Sequence, residues 1–407
     1  GGRRTARSAG GRRTALPVPS ERSPPHPSGG VLPHAPRVLL DATAVPRDRG
    51  GVGRYVDELL PALLAEGADL AVAAQAHDLA HYRALLPGVE VLVAPTAAAR
   101  PAARLAWEQV GLPLLVRRSG AEVLHSPHYT MPLVAGVPVV TTLHDATFFT
   151  HPEVHLPVKR RFFRTWTRIS LRRARRCVTP SAATRDELVR EVGADPGRID
   201  VAHLGVDSAR FHVPSEAERA AVREHLGLTG PYIAFLGTLE PRKNAAALVR
   251  GWVRAVADRP DPPALVLAGG RGWDDEVDVA IGEVPAGLTV LRPGYLPLDL
   301  LAGLLGEAEL VAYPSLGEGF GLPVLEAMAS GAAVLTTRRL SLPEVGGEAV
   351  AYTEPDPEAI AEALGRLLDD PERRRALGEA ALARAAGFDW RACARAHLAV
   401  YRAAVGS

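Results

Sequence analysis

Two glutamates eight residues apart, Glu318 and Glu326, frame a glycine-rich stretch of this 407-residue chain. Gly317, Gly319 and Gly321 surround the first glutamate, and an apolar run at helical spacing follows them. Glycine lets a backbone approach a ligand closely, and the free N–H groups of a helix N-terminus bind phosphate. Carboxylates, in contrast, accept hydrogen bonds from sugar hydroxyls. The stretch therefore predicts a site for a sugar joined to a phosphate.

Two cations, Arg242 and Lys243, come between the predicted strand 232–236 and a predicted amphipathic helix. Two cations at the carboxyl end of a strand and before a helix N-terminus can neutralise a diphosphate. The chain contains only two lysines and one asparagine, yet Lys243 and Asn244 are adjacent. In a chain that nearly always uses arginine, this choice indicates a specific role.

A histidine and an aspartate, His144 and Asp145, follow the apolar run 139–142, which predicts a buried strand. A carboxylate can orient an imidazole for catalysis. The aspartate can equally cap the element that begins after the strand. From the residues alone both interpretations stay open. His125 and Tyr129, around the end of the preceding strand, are further candidates for the same edge of the sheet.

A second glycine cluster lies near the start of the folded part of the chain. Gly50, Gly51 and Gly53 separate the predicted strand 37–40 from an amphipathic helix whose apolar face includes residues 56–64. Glycines between a strand and a helix can cradle an anion. The pattern is weak by itself, because many turns of α/β proteins look the same.

These residues need a scaffold in which short apolar runs alternate with amphipathic segments. Alternation of this kind predicts α/β architecture with a doubly wound parallel sheet and function at the carboxyl ends of strands. The predicted strands are residues 37–40, 70–74, 89–93, 122–125, 139–142, 232–236, 264–268, 288–291 and 310–313. The predicted helices include residues 77–86, 102–118, 215–226, 356–369, 371–386 and 390–403.

Composition limits the class of protein. The length indicates two or three domains, and a hydrophobic content of 47% is ample for their cores. A net charge of +1 argues against a general nucleic-acid binder. Two distant cysteines give neither a disulfide framework nor a metal cluster, so we expect a reducing compartment and a cytoplasmic location.

Two segments fall outside this pattern. Residues 1–35 are rich in Gly, Arg, Ser and Pro, and we expect a disordered tail. Residues 158–176 are strongly basic and carry aromatic side chains on one helical face. Either the aromatics pack on the sheet beneath a solvated basic face, or the helix makes peripheral contact with an anionic membrane.

The stretch Glu-Gly-Phe-Gly-Leu-Pro-Val-Leu-Glu-Ala-Met-Ala, residues 318–329, resembles the Glu-x7-Glu signature of the retaining glycosyltransferases of family 4. The resemblance covers about residues 37–405 and implies the GT-B fold, in which two Rossmann-like domains face a central cleft. Residues 36–210 would form the acceptor-side domain and residues 211–388 the nucleotide-sugar domain. Residues 389–407 would form a helix that crosses back to the first domain.

The resemblance also implies roles for the residues described above. His144 would contact the donor sugar, with Asp145 supporting its geometry. Glu326 would bind the ribose hydroxyls, and Glu318 would lie near the sugar ring. The implied catalytic residues are His144, Asp145, Glu318, Arg242 and Lys243. The implied donor-binding residues are Gly51, Gly53, Gly237, Arg242, Lys243, Tyr295, Leu296, Glu318, Gly319, Phe320, Gly321, Leu322 and Glu326.

The implied activity is transfer of a hexose from a nucleotide-sugar donor to a hydroxyl of a glycan, a lipid-linked sugar or a small molecule, with retention at the anomeric carbon. The similarity leans toward bacterial mannosyltransferases, which favours GDP-mannose, and UDP-sugars stay open. No cofactor or catalytic metal is expected. Two alternatives remain on the same fold, namely a non-catalytic nucleotide-sugar-binding protein and a sugar-nucleotide epimerase.

Overall fold

The computed structural model describes residues 35–47 and 49–406, together with Gly1 and Gly2. Residues 35–407 form one compact unit. The predicted disordered tail, residues 1–35, lies outside the described residues except at its two ends.

The first half of this unit contains a seven-stranded, wholly parallel sheet with the order β3-β2-β1-β4-β5-β6-β7. Its strands are β1 (Val38–Asp41), β2 (Leu70–Ala74), β3 (Glu90–Val93), β4 (Val123–Ser126), β5 (Val139–Thr142), β6 (Arg176–Thr179) and β7 (Ile199–Val201). Its helices are α1 (Gly50–Ala65), α2 (Leu79–Leu85), α3 (Pro101–Val110), α4 (Leu112–Ser119), α5 (Thr147–Thr150), α6 (Pro157–Arg173) and α7 (Ala182–Val192). The central strands are buried along their length, as expected for a sheet covered on both faces.

The second half contains a six-stranded parallel sheet with the order β10-β9-β8-β11-β12-β13. Its strands are β8 (Tyr232–Leu236), β9 (Ala264–Ala268), β10 (Val290–Gly294), β11 (Leu310–Tyr313), β12 (Val334–Thr337) and β13 (Ala351–Thr353). The remaining helices are α8 (Glu216–Leu226), α9 (Ala245–Val256), α10 (Asp275–Gly282), α11 (Leu301–Glu307), α12 (Leu322–Ala329), α13 (Leu342–Gly346), α14 (Pro357–Asp369), α15 (Pro371–Ala385) and α16 (Trp390–Gly406).

The two sheets share a topology that fixes where ligands bind. Strand order reverses beside β1 in the first sheet and beside β8 in the second. Crevices at such switch points, beyond the carboxyl ends of the strands, are the binding sites of open parallel sheets. The prediction of two doubly wound, Rossmann-like domains is confirmed.

Two predictions of local structure were wrong. The single helix expected over residues 102–118 is two helices, because Pro113 lacks the N–H group that would continue α3. The glycines at residues 50–53 were expected in a loop, but they form the first turn of α1. Only one of them, Gly50, has a positive φ, of 50°.

The last helix, α16, lies against α1, β4 and β5 of the first half. A buried chain of hydrogen bonds ties it there. Tyr401 Oη lies 2.8 Å from His125 Nδ1, and His125 Nε2 lies 2.8 Å from Thr142 Oγ1. Tyr55 Oη lies 3.0 Å from Thr142 Oγ1 and 2.7 Å from His397 Nε2. The C-terminal segment is therefore part of the first half of the structure.

The basic helix α6 has a mixed environment. Phe162, Phe163 and Trp166 are half-buried, and the ring of Phe163 stacks on that of Phe148 at 4.5 Å. Arg161 and several other basic residues of the helix are exposed. The aromatic side chains thus contribute to packing, and membrane contact by this helix stays a prediction. Within the described residues, no helix has the length and apolar character needed to cross a membrane.

Candidate active site

A cleft of 1070 Å³ lies between the two sheets, lined by loops and helices from both halves. The structure brings most of the sequence-predicted residues together there. Those lining it are Gly51, His144, Asp145, Gly237, Arg242, Lys243, Tyr295, Leu296, Glu318, Gly319, Phe320, Gly321 and Leu322. Two predicted residues, Gly53 and Glu326, do not line this cleft.

Glu318 holds the two predicted cations together. Its Oε2 accepts a hydrogen bond from Arg242 Nη1 at 2.6 Å, and its Oε1 accepts one from Lys243 Nζ at 2.7 Å. Oε1 also accepts hydrogen bonds from Tyr313 Oη at 2.9 Å and from Ser315 Oγ at 2.7 Å. Four donors therefore hold the Glu318 carboxylate in place, and its position in turn fixes Arg242 and Lys243.

The ionisation of this cluster follows from its contacts. Burial would raise the pKa of the Glu318 carboxyl, but Arg242 and Lys243 outweigh burial and lower the pKa to about 2. Burial and the neighbouring Arg242 lower the pKa of Lys243 below 10.5, although Glu318 opposes them. Glu318 is thus an anion at any physiological pH, and it partly neutralises the two cations before a ligand arrives.

The N-terminus of α12 supplies a second feature suited to phosphate. Gly321, just before the helix, has a φ of 105°, which lies in the left-handed region that favours glycine. No described residue accepts a hydrogen bond from the backbone N–H of Phe320, Gly321 or Leu322. These N–H groups lie at the positive end of the helix and at the wall of the cleft.

Gly319 serves a purpose that the sequence prediction missed. A Cβ atom at this position would lie 1.8 Å from the carbonyl oxygen of His144 in the other half of the molecule. The Gly319 carbonyl accepts hydrogen bonds from Ser181 Oγ at 2.6 Å and Thr184 Oγ1 at 3.1 Å. The missing side chain therefore permits contact between the two halves. Ser181 is also the N-cap of α7, where its side chain accepts a hydrogen bond from the N–H of Thr184.

His144 has a defined protonation state. Its Nε2 lies 2.6 Å from the carbonyl oxygen of Pro127, so Nε2 carries the proton and Nδ1 is an acceptor. Burial lowers the pKa of His144 below 6.5, which keeps the ring neutral at pH 7. The ring of Tyr55 packs edge-on against it at 5.0 Å. A neutral His144 can accept a hydrogen bond from a sugar hydroxyl.

The Asp145 side chain accepts hydrogen bonds at the start of α5, and its supporting role for His144 stays a prediction. Its Oδ1 accepts hydrogen bonds from the N–H and the hydroxyl of Thr147 at 3.0 and 2.7 Å. The other two candidates of this region lie behind the cleft wall. His125 is fully buried in the hydrogen-bond chain of α16, and the Tyr129 hydroxyl accepts a hydrogen bond from the N–H of Asp145 at 2.9 Å.

Glu326 lies one layer behind the cleft, where it is 1% exposed. It forms an ion pair with Arg54 of α1, which itself lines the cleft. Burial raises the pKa of the Glu326 carboxyl and Arg54 opposes it, while Oε2 has no hydrogen-bond partner within the described chain. Arg54 was not predicted, although it directly follows the glycine cluster. Gly53 packs against Arg49, whose Cβ would lie 2.7 Å from a Cβ at Gly53.

Two Rossmann-like halves with an assembled anion site at their shared cleft define the class of GT-B glycosyltransferases. Residues 49–210 match the family described as Glycosyltransferase Family 4, and residues 218–384 match Glycosyl transferases group 1. The chain belongs to glycosyltransferase family 4.

Named relatives agree with this membership. The chain is 32% identical over 283 residues to O-antigen chain mannosyltransferase B of Escherichia coli, an alignment covering 69% of this chain and 74% of that protein. It is 36% identical over 251 residues to D-inositol 3-phosphate glycosyltransferase of Nocardia farcinica, covering 57% of this chain and 53% of that one. The chain thus spans about half the length of this second relative.

A solved structure shows the same fold at low sequence identity. Anabaena Alr3699/HepE in complex with UDP-glucose superposes with a TM-score of 0.70 and 18% identity, covering 89% of this chain and 98% of that chain. The likeness extends over both halves, and it concerns the fold alone.

Proposed function

We propose that the chain transfers a hexose, with mannose favoured, from a nucleotide-sugar donor to an acceptor hydroxyl with retention of the anomeric configuration. The observation that carries the proposal is the cluster in which Glu318 fixes Arg242 and Lys243 at the cleft. The free N–H groups before α12 lie at the same cleft. Together these groups form a site for a diphosphate, which becomes more negative as it leaves.

Each group of cleft residues has its own role in the proposed reaction. Arg242 and Lys243 stabilise the departing diphosphate, and the N–H groups of Phe320, Gly321 and Leu322 bind its oxygens. His144 Nδ1 accepts a hydrogen bond from a hydroxyl of the transferred sugar. Gly51 and Gly237 border the cleft without side chains that would obstruct a ligand.

The nucleotide occupies the second half of the cleft in this proposal. Tyr295 and Leu296 lie beside the base, and Tyr295 is 68% exposed. Glu326 binds the ribose hydroxyls only after Arg54 has moved away from it, since Arg54 separates that carboxylate from the cleft. Donor binding is therefore coupled to a movement of the Arg54 side chain.

The environment of Glu318 favours front-face transfer over double displacement. A nucleophilic carboxylate needs a free oxygen, but Oε1 of Glu318 already accepts three hydrogen bonds and Oε2 accepts one from Arg242. In front-face transfer the acceptor oxygen bonds to the anomeric carbon while the bond from that carbon to the phosphate oxygen breaks. The diphosphate leaves with the electron pair and takes up the acceptor proton.

Mannose is favoured as the transferred sugar because the relative from Escherichia coli is named a mannosyltransferase. GDP-mannose is accordingly the first donor to test, with UDP-sugars as the alternative. Discrimination between such donors depends on a few contacts to individual hydroxyls and to the base.

The experiment is thermal unfolding of the full chain with GDP-, UDP-, ADP- and dTDP-sugars in EDTA, followed by nucleotide-release kinetics with the donor that stabilises it. A ligand specific for the folded state raises the unfolding temperature. Lys243→Met should lower kcat roughly 100- to 1,000-fold, because an electrostatic contact made to the transition state is lost. The matched control is Lys159→Met, which removes the other lysine of the chain.

The proposal fails if no nucleotide sugar stabilises the folded protein, or if Lys243→Met retains the wild-type kcat. Release of an isomerised sugar without an acceptor would identify an epimerase instead. Donor binding without turnover on any acceptor would identify a non-catalytic binding protein.

A further inference from the structure

The part of the cleft formed by α1, α2 and their neighbours carries charges that donor binding does not use. Arg49 lies at their centre. Its Nε lies 3.0 Å from Asp57 Oδ2, and its Nη1 lies 3.0 Å from Asp78 Oδ1. A second guanidinium nitrogen also contacts Asp57. His81 Nε2 lies 3.2 Å from Asp57 Oδ1. We call Arg49, Asp57, Asp78 and His81 the acceptor cluster.

Carboxylates outnumber cations on this wall, within the described residues. Arg54 is paired with Glu326, and Arg210 Nη1 lies 3.0 Å from Glu58 Oε1. Each arginine of the first half that borders the cleft thus faces a carboxylate. The lining arginines are Arg49, Arg54 and Arg210, and the lining acids are Asp57, Glu58, Asp78, Asp145 and Asp207.

One carboxylate of the cluster has unused hydrogen-bonding capacity. Asp78 is 6% exposed and lines the cleft, and its Oδ2 has no hydrogen-bond partner within the described chain. His77 Nε2 lies 3.4 Å from this oxygen, without the geometry of a hydrogen bond. This oxygen is shielded from solvent, so a ligand hydroxyl reaches it after a rotation of the Asp78 side chain, and it would then satisfy an oxygen that otherwise lacks a donor.

These charges select between two kinds of acceptor. A phosphate group needs an unpaired cation, and it is repelled by neighbouring carboxylates. A sugar ring instead offers several hydroxyl donors to the carboxylates, and its ring oxygens can accept from the guanidinium group and from His81. The wall therefore suits a neutral polyhydroxylated ring better than a phosphorylated one.

We propose that the acceptor cluster binds the neutral terminal sugar residue of a glycan acceptor, and that it disfavours acceptors whose reacting ring carries a phosphate. The inference rests on the proposed glycosyltransferase activity and narrows its acceptor. It separates this chain from the relative whose name specifies an inositol 3-phosphate acceptor. The same sugar end occurs in a free oligosaccharide and in a lipid-linked glycan.

The first test uses the full chain and the donor that stabilises it. Nucleotide release is measured with mannobiose, octyl mannobioside, mannose 6-phosphate and inositol 3-phosphate. We expect kcat/KM at least tenfold higher for the neutral pair than for the phosphorylated pair. Mannobiose and its octyl glycoside separate a free from a lipid-linked source. Equal or better use of the phosphorylated acceptors overturns the inference.

The second test removes two carboxylates, which should shift the acceptor selectivity toward phosphorylated acceptors. In the double variant Asp57→Asn with Asp78→Asn, Arg49 loses both carboxylate partners and becomes available to an anion. The KM for mannobiose should rise roughly 10- to 100-fold, as expected for lost hydrogen bonds to charged groups. The ratio of phosphorylated to neutral acceptor rates should increase. An unchanged ratio in a folded variant contradicts the proposal.

Two further variants serve as a control and as a replacement for the double variant. Glu362→Gln removes a glutamate that pairs with Arg366 on α14, away from the cleft, and it should leave the acceptor ratio unchanged. Glu58→Gln replaces the double variant if the latter does not fold, because it removes the nearer of the two carboxylate partners of Arg210 on the same wall.

Donor binding distinguishes the two levels of the proposal. Absence of thermal stabilisation by every nucleotide sugar refutes the proposed function itself. Stabilisation by a donor, with phosphorylated acceptors preferred, refutes the inference alone. Stabilisation by a donor with no turnover on any of the four acceptors counts against both the transferase activity and the inference.

Discussion

At the scale of single residues, Glu318 shows what the structure adds to a prediction made from residue type. The resemblance around Glu318 and Glu326 implies that Glu318 lies near the sugar ring, which stays a prediction. The structure makes it the shared anion of Arg242 and Lys243, held further by Tyr313 and Ser315. A cation fixed by such a network needs little reorganisation during the reaction, which is the basis of electrostatic catalysis.

Glu187 of α7 provides a prediction about pH at the same scale. It is 3% exposed, its Oε1 has no hydrogen-bond partner within the described chain and only a 3.7 Å ion pair with Arg190 Nη2, and burial outweighs that cation and raises the pKa of Glu187 from 4.5 to about 7. Because the folded protein binds this proton more tightly than the unfolded chain, the stabilisation is complete below pH 4.5. It is lost as the pH rises toward 7.

The variant Glu187→Gln should therefore match the wild type near pH 4.5. At pH 8 it should be more stable, by on the order of 1–2 kcal/mol, since its amide never ionises. Urea unfolding at both pH values measures the difference. Glu191→Gln, on the same helix but exposed, is the control. Equal stability of Glu187→Gln and wild type at pH 8 would contradict the assignment.

At the scale of elements, the loop before α12 and the N-terminus of α7 form a rigid joint between the halves. The Gly319 carbonyl is held by Ser181 and Thr184. Glu344 of α13 accepts hydrogen bonds from the N–H groups of Ala182 and Ala183 at 2.9 and 3.1 Å. The Glu344 carboxylate of the other half thus accepts hydrogen bonds from the free N–H groups in the first turn of α7. Helix N-termini favour such a negatively charged partner.

Gly319→Ala tests this joint. The added methyl group would meet the His144 carbonyl at 1.8 Å, so the two halves have to separate locally. We expect a loss of roughly 1–3 kcal/mol in the free energy of unfolding, together with a lower kcat, because overpacking displaces the cleft residues. Denaturant unfolding and nucleotide-release kinetics measure the two effects.

The matched control is Gly365→Ala inside α14, where an added Cβ meets nothing within 4 Å. This substitution should stabilise the protein by about 0.5–1 kcal/mol, because alanine favours the helix over the unfolded chain. Similar behaviour of the two alanine variants would show that crowding at Gly319 is unimportant.

At the scale of the whole molecule, the two halves meet at the Gly319 joint and at the Arg54–Glu326 ion pair. We expect the ion pair to break more easily than the joint. The joint at Gly319 is made by backbone atoms and short side chains. The ion pair between Arg54 and Glu326 is made by a long side chain that is 32% exposed, and ribose hydroxyls would compete for the same carboxylate. We therefore expect the halves to pivot about the joint while the ion pair opens and reforms.

Arg54→Met tests the pivot. Without donor, the variant should have a larger radius of gyration than the wild type in small-angle X-ray scattering, because a contact between the halves is lost. Unfolding should require roughly 1–3 kcal/mol less, since Glu326 is left buried without its partner. Arg254→Met, which breaks an exposed pair with Glu358, is the control. An unchanged radius of gyration in the folded variant would contradict a pivoting molecule.

The predictions from the sequence succeeded where local chemistry decides the outcome. Apolar runs of four or five residues gave the strands, and β2, β5, β8, β9 and β11 have the predicted bounds. Ser181 and Ser215 cap helices as their residue types suggest. Predictions were wrong at residues 50–53, which begin α1, and at Gly111, where α3 ends. The second error depends on a single group, the N–H that Pro113 lacks.

The resemblance of residues 318–329 to a family signature indicated membership of glycosyltransferase family 4. The sequence by itself also determined the two Rossmann-like halves and most of the residues that line the cleft. Those features depend on periodicity, turn chemistry and residue type, which are properties of neighbours along the chain. Only the tertiary structure decided that Glu318 holds two cations, that Gly319 joins the halves and that Arg54 covers Glu326. These contacts link residues from 75 to 272 positions apart, and no local pattern specifies such pairs.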